Sequence, residues 1–194
     1  MSIMQTMITR GAIISQSVYV PLSAGTGTET VPAGASFVVM EIWAAGGSGG
    51  GGGTTLAGGG GGGGAYARSG YNCSPGQTVT YTIGSGGAVR APATAGSSGT
   101  SSTITSGTLA ITNMTTNGGA GGAASAPTPG NGGAVGTSGN QQNTVGNPGT
   151  GITGAVALAG VYYNSATAGA GGNGGPINTS SSPGSGGAVV FTYF

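Results

Sequence analysis

The sequence predicts an all-β protein with an irregular glycine-rich part: a small β-sandwich carrying a bundle of polyglycine II helices, with no long α-helix. Three observations predict it. Of the 194 residues, 48 are glycine, against a usual share of roughly 7%. Each glycine costs a helix about 1 kcal/mol, so the glycine-rich interior is not α-helical. Apolar side chains recur with period two in several short segments, as in strands. Those segments also bracket the glycine runs at both ends, which sets the chain apart from a disordered low-complexity polymer.

Along the chain, 12–22 is the first strand candidate, with Val18 and Val20 alternating about Tyr19 and Pro21 confining it to an edge or an end. The polar stretch 24–30 (AGTGTET) reads as a turn or linker. Residues 35–45 (ASFVVMEIWAA) form the strongest strand. Phe37, Val39, Glu41 and Trp43 share one face and Val38, Met40 and Ile42 the other, so it is expected to be central and covered on both sides. Glu41 is the exception on its face, and Arg68 is its expected structural partner.

Two glycine runs follow, 46–53 and 58–64, joined by a bend at TTLA (54–57). Segment 65–72 (AYARSGYN) reads as a strand, Pro75-Gly76 as a turn, and 77–83 (QTVTYTI) as a half-buried strand with alternating threonines. Segments 101–105 and 108–112 make a further expected pair about Ser106-Gly107. Short glycine bursts then fill 117–187, and AVVFTYF (188–194) closes the chain as a strand.

Ordered polyglycine has one attractive solution, a left-handed three-residue helix with about 3.1 Å rise and no internal hydrogen bonds. Its outward-pointing N–H and C=O groups need close neighbours, and only glycine permits that approach. Seven residues span roughly 22 Å at this rise. Ordering glycine costs more backbone entropy than ordering any other residue. Such a bundle therefore forms cooperatively, with nearly every backbone group bonded.

Composition excludes most chemistry. The charged residues are Arg10, Arg68, Arg90, Glu29 and Glu41, with no Lys, Asp or His. A Ser-His-Asp triad, a His metal site, a Schiff-base lysine and a Walker loop are all unavailable. An enzyme, a cofactor and a bound metal are not expected. Three arginines at net charge +1 do not make a nucleic-acid surface. No stretch reaches the ~18 apolar residues of a membrane span. Cys73, the one cysteine, reads as a small packed thiol. The GxGxxG matches and the sequons at Asn72, Asn113 and Asn178 are expected by chance in this composition.

The run VPAGASFVVMEIWAAGGSGGGGG, then GGGGGGGAYARSG, SPGQTVTYTIGSGG and GSGGAVVFTYF, resembles the glycine-rich domain of bacteriophage tail-fibre and receptor-binding virion proteins. The resemblance spans about residues 31–194. It implies a strand pair feeding polyglycine helices, a closing strand that returns to the sheet, a virion location and a trimer. Residues 1–34 are then an attachment or trimerisation leader contacting other virion proteins, and 35–194 the glycine-rich domain.

The expected function is host attachment through a surface glycan or protein. A purely structural capsid, neck or tail decoration protein is the alternative. The threonine alternation also fits an ice-binding protein, a weaker reading. Segments 137–145 and 161–168 use the Tyr, Ser, Asn and Gln alphabet of antibody paratopes. Tyr162, Tyr163 and Asn164, supported by Gln141, Gln142 and Asn143, are therefore the receptor-contact candidates, expected on loops at one end of the bundle. A homotrimer is expected because the leader is too short to bury Ile13, Ile14, Val18, Tyr19, Val20 and Leu22 alone.

Overall fold

The computed structural model describes residues 16–20, 24–134, 136, 139–161 and 167–194. These residues form two antiparallel sheets and contain no helix. The strands are β1 (Gln16–Val20), β2 (Gly25–Thr30), β3 (Phe37–Trp43), β4 (Tyr66–Asn72), β5 (Thr78–Ile83), β6 (Ser102–Ser106), β7 (Met114–Thr116), β8 (Gln142–Thr144) and β9 (Ala188–Tyr193). One sheet has the order β1-β9-β3-β4-β8 and the other β2-β5-β6-β7.

The alternation read from the sequence places the core. Val38, Met40 and Ile42 of β3 join Val189, Phe191 and Tyr193 of β9 in packing against Val79, Ile83, Ile104 and Met114 of the second sheet. Tyr81 lays its ring 5.9 Å from that of Phe191. Each such side chain contributes about 1.5–3 kcal/mol by leaving water. The other face of β3 is buried too: Trp43 clusters with Tyr66, Ala168, Ala188 and Val190. β3 is thus central and covered on both sides.

Three expectations need correction. The stretch 24–30 is not a linker: Gly25–Thr30 pairs with β5 over its full length. The partners of β6 are β5 and β7 and not 108–112; 107–113 is a loop, tied where the Ile111 N–H donates to Ser106 Oγ at 3.0 Å. Within 1–34, the described segments Gln16–Val20 and Gly25–Thr30 are not separate from the glycine-rich domain: β1 pairs β9 and β2 pairs β5.

Between the strands runs the glycine bundle, and its hydrogen bonds carry a period of three. In segment 46–53, Gly46, Gly49 and Gly52 donate to the carbonyls of Ser185, Ser182 and Thr179. Gly47 and Gly50 donate to Gly62 and Gly59, and Ser48 and Gly51 to Ser97 and Thr94. Partner numbers fall by three at each step, so these neighbours run antiparallel.

The carbonyls of the same segment accept from three further neighbours. Gly172, Gly175 and Asn178 donate to Gly47, Gly50 and Gly53; Gly122 and Ser125 to Ser48 and Gly51; Gly87 and Ala93 to Gly46 and Gly52. These numbers rise together, so this set is parallel. Six neighbours surround one central helix, as a threefold helix with outward-pointing peptide groups requires. Segment 58–64 is bonded in the same way, with Gly58, Gly61 and Gly64 donating to Gly175, Gly172 and Gly169.

None of the glycines in 46–53 or 58–64 has a positive φ. Glycine serves here for its missing Cβ and not for left-handed freedom. Ser48 is the exception within the first run. Its buried Oγ accepts the Ser97 N–H at 2.9 Å, supplying an acceptor from a side chain.

One charge enters the sandwich from the edge. Burial holds the Glu29 carboxyl above its ordinary value, partly offset by the hydrogen bond that the Tyr193 hydroxyl donates to it at 3.2 Å. A raised pKa in the fold means that the folded state binds the proton more tightly than the unfolded chain. This contribution to stability is full below the ordinary carboxylate value and is lost as pH rises through the folded one. Glu29→Gln is expected to remove that part of the dependence of the melting temperature on pH between mildly acidic and neutral solution. Identical pH profiles for the two proteins would contradict it.

Candidate functional site: the free end of the glycine bundle

β3 runs directly into segment 46–53, and segment 58–64 runs directly into β4. One end of the bundle is therefore welded to the sandwich, with Ala44 donating to the Ala65 carbonyl. At the other end the chain must reverse. Backbone bonds gather five reversals there: 54–57, 91–94, 124–128, 150–153 and 176–179. Gly53 donates to the Leu56 carbonyl, Ala93 to Gly52, Ser125 to Gly51, Asn178 to Gly53, and Gly60 to Gly151.

Four of these five turns carry a residue in the left-handed region: Ala93 (φ 56°), Ser125 (φ 51°), Gly151 (φ 53°) and Asn178 (φ 58°). Glycine and asparagine accept that conformation readily, while alanine and serine lose about 1–2 kcal/mol each in it. The packed bundle below holds them there.

The turns present apolar side chains to solvent. Leu56 is 51% exposed, Ile152 49% and Ile177 49%. Pro92, Pro127 and Pro176 are exposed beside them. Charge is nearly absent, with half-buried Arg90 just before the 91–94 turn. The tip can therefore offer shape, apolar contact and neutral hydrogen bonds to a partner, and little electrostatic steering.

Of the sequence-based candidates, Gln141, Gln142 and Asn143 lie elsewhere. Gln142 and Asn143 belong to β8, at the edge of the sandwich, opposite Arg68 and Ala67. The Gln141 N–H donates to the Arg68 carbonyl. The Asn143 side chain is spent on its own turn, accepting from Gly139 N–H at 2.7 Å and donating to Gly139 O at 2.9 Å. Tyr162, Tyr163 and Asn164 fall outside the described residues. The chain leading to them crosses the outer face of the first sheet, where the Leu158 carbonyl accepts the Trp43 Nε1–H at 2.8 Å. The free end is instead built from the short turns between glycine bursts. A proline beside the turn at Pro92, Pro127 and Pro176 is the signal that would have found three of them.

The register sets Glu41 directly opposite Arg68, so the two side chains share a face. Glu41 is fully buried, and its Oε1 accepts from the Tyr66 hydroxyl at 2.7 Å and from the Val161 N–H at 2.6 Å. Burial, and then this carboxylate, push the Tyr66 hydroxyl above its ordinary range, so it stays a donor. Arg68 Nε is buried and has no hydrogen-bond partner. These residues hold a segment over the sheet, and the arrangement offers no nucleophile with an adjacent base.

The second sheet has one further surface. Thr26, Thr82, Thr103 and Thr115 stand in one row across all four strands, and Thr28, Thr80 and Thr105 in the next. Thr80 and Thr105 join their hydroxyls at 2.6 Å. The face is a lattice of methyl and hydroxyl groups without a charged residue.

A glycine-rich domain family matches residues 22–193 of the chain. No curated protein matches it.

Proposed function

The chain belongs to the glycine-rich domain family, and from that premise we propose that it is a non-enzymatic bacteriophage virion protein acting in host attachment. The observation that carries the reading is the five-turn tip. A bundle closed by backbone bonds presents short exposed turns at one end, and their side chains can vary without disturbing the scaffold. The target is a neutral surface, a glycan or a protein loop, because the tip carries almost no charge. A homotrimer attached to the particle through residues 1–34 remains our proposed assembly. Light scattering tests it, and a stable monomer at low concentration overturns it.

Adsorption of the purified protein to host cells tests the attachment reading. Leu56→Asp with Ile177→Asp is expected to reduce adsorption about tenfold or more, as loss of central apolar contacts does. The melting temperature should barely move, since both side chains are exposed. Adsorption should also depend weakly on salt, there being few charges to screen. Unchanged adsorption in the double variant would refute the tip as the contact surface.

The threonine lattice supports a second reading, adsorption to ice through ordered water on the second sheet. Thermal hysteresis of the purified protein decides it, and its absence removes that reading.

A further inference from the structure

We propose a second binding site at the opposite end of the molecule from the turns: a cleft on the outer face of the first sheet that takes a carboxylate-bearing saccharide, with Arg68 as the anion contact. The proposal does not rest on the attachment reading.

The cleft has a volume of about 540 Å³ and is lined by Phe37, Val39, Arg68, Gln141 and Phe194. Its walls follow from the register. Phe37, Val39 and Glu41 lie on one face of β3, and Gly70 and Arg68 of β4 stand opposite Val39 and Glu41. Gly70 lets two of these walls pack down on β4. A Cβ built there would run into the Gln141 amide and approach the Phe37 ring tip at 2.6 Å. The amide and the ring take their places because this strand residue has no side chain.

The chemistry of the lining selects the ligand. Arg68, half-buried at the cleft wall, brings a planar fork of donors. A carboxylate pairs with a guanidinium in charge-assisted, bidentate geometry. Glu41 across the strand does not compete as a ligand group, because its Oε1 already accepts from Tyr66 and Val161. It offsets the arginine charge, so the cleft discriminates by hydrogen-bond geometry more than by long-range attraction. The Phe37 and Phe194 rings, tilted by 50° with centroids 6.4 Å apart, form an apolar corner for the C–H face of a sugar. The Gln141 amide can donate to a hydroxyl and accept from one.

Titration of the full chain with glucuronate, glucose and inorganic phosphate, read by NMR shifts of the β3–β4 amides, tests the site. Glucuronate is expected to bind about tenfold more tightly than glucose, the margin of one charge-assisted pair. Arg68→Gln should abolish that preference. Gly70→Val should weaken glucuronate and glucose alike by displacing the Gln141 amide and the Phe37 ring, and Phe194→Ala should do so by removing the wall. Equal binding of glucuronate and glucose, or full glucuronate preference in Arg68→Gln, overturns the proposal. So does phosphate shifting the same amides as strongly as glucuronate, which reduces the cleft to a bare anion hook. If Arg68→Gln fails to fold, Phe194→Ala retaining parental affinity for both sugars overturns it equally.

Discussion

Gly61→Val is expected to leave the protein unfolded at room temperature. A Cβ at Gly61 would land on the Gly47 carbonyl and within 2.8 Å of the Ser48 oxygen. Neither atom can step aside, because Gly47 and Ser48 lie in the central helix and are bonded on every side. Making room means separating the two innermost helices and breaking the bonds from Gly47 to Gly62 and from Gly50 to Gly59. Each buried donor left open costs about 1–3 kcal/mol, and a domain has only about 5–15 kcal/mol in total. Gly63 is the control within the same run. A Cβ there meets its nearest neighbour at 3.3 Å, and that atom is the Gly169 oxygen. Gly63→Ala should stay within about 1 kcal/mol of the parent, since the lost unfolded-state entropy offsets a small crowding cost. Circular dichroism melts of the two variants decide the matter. A Gly61→Val protein melting within a degree or two of the parent would show that the helices are not in backbone contact.

Trp43→Ala should cost about 3–5 kcal/mol, the usual loss for truncating a fully buried aromatic. The indole is wholly buried, lies 4.9 Å from the Tyr66 ring and packs with Ala168, Ala188 and Val190. Its Nε1–H is also the tie to the Leu158 carbonyl. Trp43→Phe separates the two roles. It keeps most of the apolar volume and loses the donor, for a cost nearer 1–3 kcal/mol. Urea unfolding midpoints measure both. Equal losses in the two variants would mean that the hydrogen bond outweighs the packing.

How much of this was legible in the sequence depends on what each side chain encodes. β3, β5 and β9 announce themselves because large apolar residues alternate, and alternation is what a sheet face reads. β2 has no such residue. GTGTET becomes a strand because it pairs along β5 and because Gly27 leaves space under the Tyr81 ring. β8 is three polar residues long, held by register with β4 and by the Asn143 side chain, with no pattern to show it. The glycine runs state that a bundle exists but not which run lies beside which, since a residue without a side chain carries no address. Gln141, Gln142 and Asn143 lie away from the free end for a related reason. An alphabet of Tyr, Asn and Gln marks adaptable polar surface, whereas the free end is fixed by where the glycine segments reverse.

The placement of β9 sets the order in which the molecule can be made. Residues 188–193, synthesised long after β3, form an interior strand of the first sheet, between β1 and β3. The central glycine helix waits for late residues as well, since Gly46 donates to Ser185 and Gly49 to Ser182. A nascent chain therefore holds its strongest strand open on one edge until translation has passed residue 193. At about 5–20 residues per second this lasts for several seconds. Pairings so distant along the chain also form slowly after release. Glycine gives the waiting segments no competing helix and no side chain to bury on the wrong partner. A product terminated before residue 188 lacks a wall of both the sandwich and the bundle, and it has no smaller fold to fall back on.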